Sequence, residues 1–219
     1  MLLPRPLRLP AAVLLAVCAA VTALFAIVFA GHTQPSRLDA AVDPALHDSL
    51  GRVIVLINVS AVAGTLIPVA LTTLALTVAC LATRRWSGAV LALVATPAAS
   101  VLTEFVLKPL VNRTIRGDLT FPSGHATGMF ALAATCAVLL LDPPGHRVSA
   151  AVRLLLASLA LLAATTVALA MVARSSHYFT DAVAGAALGT GVVLACALIL
   201  DRLGRLGRRG PAARPAPDE

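Results

Sequence analysis

Six apolar stretches set the rhythm of the chain, at roughly 11–30, 53–82, 87–107, 124–141, 150–172 and 177–200. A helix crossing the hydrocarbon core of a bilayer needs about 20 mostly apolar residues, and the polar breaks between the stretches are where such helices would turn. The pattern predicts an all-α fold, a polytopic membrane protein whose six transmembrane helices form a bundle over residues 11–201. Residues 1–10 make a short N-terminus. Residues 202–219, rich in Gly, Arg, Pro and Ala without apolar periodicity, read as a disordered basic tail. The second stretch is long enough to tilt or to project beyond the bilayer, with Pro68 as the expected kink. The first invites comparison with a signal peptide, since Arg5 and Arg8 precede it and Val28-Phe29-Ala30 looks like a cleavage site. Its apolar region exceeds the roughly 7–15 residues of such a peptide, so an uncleaved helix is expected.

Composition supports the same class. The chain is 59% hydrophobic and 12% charged, with a mean hydropathy of +0.92; a soluble domain carries about 25% charged residues and could not keep its surface polar with so few. Cys18, Cys80, Cys136 and Cys196 each lie in a different apolar run, without metal-ligand spacing or the polar loops of a disulfide framework. They read as small apolar packing residues. The net charge of +7 does not point to nucleic acid, because the arginines flank the apolar runs. By the positive-inside rule, both termini, the Arg84-Arg85 turn and the turn from His146 to Arg153 face the cytoplasm. Segments 31–52, 108–123 and 173–176 then lie on the outer side of what is expected to be the plasma (cytoplasmic) membrane. Lys108 is the single lysine among 17 basic residues, and it falls in one of those outer segments.

Three stretches on that side hold the ionisable groups that the membrane pattern does not explain. In Arg174-Ser-Ser-His177-Tyr-Phe-Thr-Asp181 the histidine and aspartate are four apart, one helical turn. A carboxylate on one imidazole nitrogen would make the other a better nucleophile; the pair could equally cap a helix at the interface. In Pro122-Ser123-Gly124-His125, Ser123 is a good N-cap and Gly124 lets a ligand approach the backbone. The free N–H groups that follow form an anion site, beside which His125 can act as general acid. The third stretch, Glu104 to Arg116, supplies cations: Lys108 and Arg113 could hold phosphoryl oxygens, and Glu104, one turn before Lys108, could orient the lysine or anchor the helix end.

Taken together, Lys108 to Arg113, Pro122-Ser-Gly-His125 and His177-x-x-x-Asp181 resemble the type-2 phosphatidic acid phosphatase family, the lipid-phosphatase branch of the vanadium haloperoxidase superfamily. The likeness covers roughly 104 to 190 by motif. It implies a six-helix fold with the active site at the extracytoplasmic end, His177 as nucleophile, Asp181 as its partner and His125 as general acid. It further implies that Lys108, Arg113, Ser123, Gly124 and Arg174 bind phosphate, and that no metal or other cofactor is needed. The lack of a carboxylate cluster suited to magnesium agrees with that. The sequence departs from the family pattern twice. The position seven after Lys108 is Ile115 rather than arginine, which leaves Arg113 or Arg116 for that role, and the position six before His177 is Met171, with Arg174 only three before it.

The expected activity is removal of phosphate from a membrane lipid through a phosphohistidine, the candidate substrates being phosphatidate, phosphatidylglycerol phosphate and polyprenyl phosphates or diphosphates. A phosphotransferase would share the intermediate. A non-catalytic lipid-phosphate binder would account for the displaced arginines. A transporter fits poorly, since transport sites lie near the midplane whereas these charges gather at one face. Gly185 and Gly189, four apart on the last helix, are expected to let a neighbouring helix pack closely.

Overall fold

The computed structural model describes residues 2–141 and 148–208, and the fold is helical, as the apolar pattern predicts. The elements in chain order are α1 (Arg8–Val28), α2 (Arg37–Leu50), α3 (Ile54–Ala63), α4 (Leu66–Ala82), α5 (Trp86–Val101), a π-helical segment (Leu102–Leu107), α6 (Lys108–Val111), a two-stranded hairpin of β1 (Thr114–Ile115) and β2 (Asp118–Leu119), α7 (Gly124–Leu141), α8 (Ala150–Ala173) and α9 (Phe179–Arg208). Five continuous helices among the described residues are long and apolar enough to cross a membrane. The bent pair α3–α4 makes a sixth when the two helices are counted as one span. Large apolar side chains such as Ile27, Leu71, Phe105 and Leu154 point outward, the arrangement expected where lipid rather than water is the solvent.

The bend in the second span measures 54°, and it falls at Gly64-Thr65 rather than at Pro68. Pro68 sits in the first turn of α4, where backbone N–H groups have no partner within the helix, so proline costs little there. Segment 31–52 contains a helix, α2. Ser36 and Asp39 form a reciprocal cap on α2: the Asp39 N–H donates to Ser36 Oγ (3.2 Å), while the Ser36 N–H and hydroxyl donate to Asp39 Oδ2 (3.0 and 2.8 Å).

The core joins α1, α5, α7 and α9, with Leu91, Ala95, Ala131, Val193 and Ala197 wholly or almost wholly buried. Gly185 and Gly189 are where α9 closes on α7: a Cβ on Gly185 would lie 2.5 Å from the Ser123 carbonyl oxygen, and one on Gly189 would collide with that of Thr127. The backbones meet at both points, as the small-residue spacing predicts. At the far end of α9, the N–H groups of Leu2 and Leu3 donate to Asp201 (2.6 and 3.0 Å), which ties the N-terminal segment to that end of the bundle. From Asp181 to Asp201 is about 30 Å of helix, which puts the motif residues at the opposite end. The helix runs on to Arg208, into the stretch expected to be disordered; residues 209–219, and the part of the His146–Arg153 turn up to Arg147, lie outside the described residues.

Candidate active site

His177 lies in the turn before α9, and its burial comes from the elements around it. Its Nδ1 lies 2.9 Å from the backbone carbonyl of Thr120. A carbonyl only accepts, so Nδ1 carries the proton and Nε2 keeps its lone pair. Burial, followed by the charge of Lys108, pushes the imidazole pKa down to about 4. The ring is therefore neutral at neutral pH, in the tautomer a nucleophile needs.

A cavity of about 470 Å³ opens beside this ring. His177, His125, Lys108, Glu104 and Gly124 line it, with Thr120 and Asp118 from the hairpin region and Gly64, Leu66 and Val69 from the bent span. The hairpin turns through Arg116 and Gly117, both at positive φ (54° and 95°), the conformation a two-residue turn requires. His125 stands in the first turn of α7, against Gly64: a Cβ on that glycine would lie 2.9 Å from His125 Cδ2 and 2.5 Å from Val167 Cγ1. The bend of the second span thus supports the ring of His125. Lys108 pairs with Glu104 at 2.7 Å, the orientation expected from their spacing.

Two expected contacts are replaced. Asp181 does not meet His177. Its Oδ1 accepts from Arg113 Nη1 (2.6 Å) and its Oδ2 from the Tyr178 N–H (3.1 Å). The i,i+4 rule applies within a helix, and α9 begins at Phe179, two residues after the histidine. Arg113, expected to hold phosphate, is sealed from solvent instead. Its Nη2 donates to Asp39 Oδ2 (2.7 Å), its Nη1 also reaches Thr180 Oγ1 (2.7 Å), and its guanidinium lies 4.1 and 4.2 Å from the ring centroids of Phe29 and Tyr178. Two carboxylates consume the fork that would have gripped phosphate. Burial raises the pKa of Asp39, but hydrogen bonds from the Thr180 N–H, Arg113 and Ser36 outweigh it and hold that carboxyl below its ordinary value.

Asp181 still bears on His177 through a relay. It fixes Arg113, whose backbone carbonyl accepts from the Thr120 N–H (2.9 Å), and the Thr120 carbonyl in turn fixes His177. Ser123 is buried and caps α7, its Oγ accepting from the Ala126 N–H at 3.4 Å; it does not line the cavity. Arg174 is exposed, outside the lining, and donates from Nη1 to Asn58 Oδ1 (3.1 Å). Arg116 lines a smaller cavity of about 190 Å³ that shares His177 and includes Asp43. Burial pushes Asp43 up to about 6, although its Oδ1 accepts the Phe179 N–H. Among the described residues, no three His, Cys, Asp or Glu side chains gather as a metal site would require.

Fold and site together define a polytopic helical membrane protein with a buried neutral histidine, a second histidine and a lysine around one cavity. Residues 115–205 match the family model of the PAP2 superfamily, which bears out the resemblance to the type-2 phosphatidic acid phosphatases. The matched segment carries both histidines and Asp181 but begins beyond Lys108 and Arg113. No curated protein and no solved structure matches the chain. Members of the superfamily are phosphatases, which supports a phosphatase-type reaction.

Proposed function

We propose that this protein is a metal-independent lipid phosphatase of the outer membrane face, hydrolysing a phosphomonoester or diphosphate through a phosphohistidine. The observation that carries the reading is the shared cavity of His177, His125 and Lys108. Nε2 of His177 attacks phosphorus, and the bond to the leaving oxygen breaks as His125 gives that oxygen a proton. Water, deprotonated by the same His125, then releases inorganic phosphate and restores the free imidazole. Lys108 and the first N–H groups of α7 hold the phosphoryl oxygens, whose charge is the main thing such a site must stabilise. Arg116 and Arg174, both exposed near His177, are available to meet an arriving head group, while Arg113 and Ser123 hold the frame.

The lipid tails enter at the bend of the second span. Leu66 lines the cavity and is 77% exposed on the outside of the bundle, so one residue touches both the site and the hydrocarbon. The basic flanks favour an orientation with this end outside and the termini in the cytoplasm.

Three measurements test the reading here. Titrated by imidazole NMR in detergent, His177 should protonate near pH 4, and Lys108→Met should move it upward, because removing the neighbouring cation favours imidazolium. An ordinary value near 6.5 in both proteins would contradict the proposed environment. Gly64→Ala should displace His125 and lower kcat by on the order of 10²-fold, the usual effect of an ångström-scale misplacement, with little change in phosphate affinity. Unchanged turnover would remove His125 from the mechanism. Vanadate, which mimics pentacoordinate phosphorus, should inhibit the native protein, and a chelator should not.

A further inference from the structure

Glu104 occupies an unusual place. The π-helical segment that carries it is closed by the Lys108 N–H donating to the Thr103 carbonyl, five residues back. A π-bulge adds a residue to the turn and re-aims the side chains around it. The Glu104 carboxylate reaches across to α7: a Cβ on Gly124 would lie 2.5 Å from its Oε1, so the carboxylate fills the space a side chain would take at the first residue of that helix. Its other oxygen, Oε2, is the one paired with Lys108 at 2.7 Å. One carboxylate thus pairs with the lysine and lies against the first residue of α7, the two elements assigned to phosphate, within the cavity that both histidines line. Asp118 adds a second carboxylate to the wall.

We infer that Glu104 is a resident anion that a substrate phosphate must displace, and that this makes it a specificity-determining residue, selecting phosphomonoesters and diphosphates over phosphodiesters. The inference rests on the phosphatase reading of the site. A phosphomonoester carries about −1.5 to −2 charge at neutral pH, and a diphosphate more. Either gains more from Lys108 and the α7 dipole than the single negative charge of a carboxylate does. A phosphodiester carries one charge, as Glu104 does, so exchanging one for the other brings no electrostatic gain and leaves a displaced carboxylate beside a second anion. A site open to a membrane meets phosphodiester head groups in large excess. A built-in anion keeps them out without a steric barrier.

The test compares the full-length native protein with Glu104→Gln in detergent, using inorganic phosphate and short-chain phosphatidylglycerol as probes. Removing one like charge should tighten inorganic phosphate binding by on the order of tenfold. Phosphatidylglycerol, added to a phosphatidate turnover assay, should leave the native rate unchanged and competitively inhibit Glu104→Gln. Glu104→Ala should repeat both effects, which separates loss of charge from any new contact made by the amide. Weaker phosphate binding in both variants would overturn the inference, because it would make Glu104 an orienting partner of Lys108. Unchanged phosphate affinity with no phosphodiester inhibition would overturn it as well. If the native protein turns over lipid and the variants behave in either of those ways, the specificity inference alone fails. If the native protein neither binds phosphate nor turns over lipid, the phosphatase reading fails and the inference with it.

Discussion

Arg113→Ala is expected to destabilise the site end of the bundle while leaving phosphate affinity nearly unchanged in the molecules that remain folded. The substitution strands two fully buried carboxylates, Asp39 and Asp181. Removing one partner of a buried ion pair costs about 3–5 kcal/mol, and lost stacking on Phe29 and Tyr178 adds to that. For a chain of this size the thermal midpoint should fall by on the order of 10 °C. Arg113→Lys should recover only part of the loss, since one ammonium cannot span both carboxylates as the fork does. The effect has a pH sign. Asp39 is held below its ordinary 3.8 in the folded protein, so its contribution is complete above that value and is lost as pH falls through the lower folded one. Thermal unfolding followed alongside phosphate binding separates the alternatives. A large rise in the phosphate Kd with an unchanged midpoint would return Arg113 to the role its spacing from Lys108 suggested.

His177→Ala should do the opposite: abolish turnover, by at least about 10⁴-fold for a covalent nucleophile, and keep the fold. The ring makes one hydrogen bond, to the Thr120 carbonyl, and an unpaired carbonyl costs roughly 1–3 kcal/mol. Inorganic phosphate should still bind, because Lys108 and the α7 N-terminus remain. Turnover within tenfold of native would exclude a phosphohistidine at this position.

The contrast between these two residues shows what a sequence of this kind reveals. Spans are legible because bilayer thickness forces long apolar runs, and His125, Lys108 and His177 stand out because ionisable groups are rare against that background. Long-range pairing is another matter. Nothing local says that Arg113 will reach back 74 residues to Asp39. Helix α2 did carry a signal, the Ser36-x-x-Asp39 capping box, but it lies in a polar segment, outside the apolar runs that mark spans. The His177–Asp181 spacing misleads because the histidine lies just outside the helix whose periodicity it would need. The break at Gly64-Thr65 was hidden by the stronger cue of Pro68. At Gly64 the missing Cβ makes room for His125 and Val167, neighbours that only the folded chain identifies.

The most direct test of the phosphatase reading is phosphate release by the purified protein, with chelator present, from phosphatidate, phosphatidylglycerol phosphate and polyprenyl diphosphate. The account predicts release from at least one of these lipids, abolished in His177→Ala. A folded sample that binds phosphate yet releases none from any lipid would contradict it and leave a lipid-phosphate-binding protein in its place.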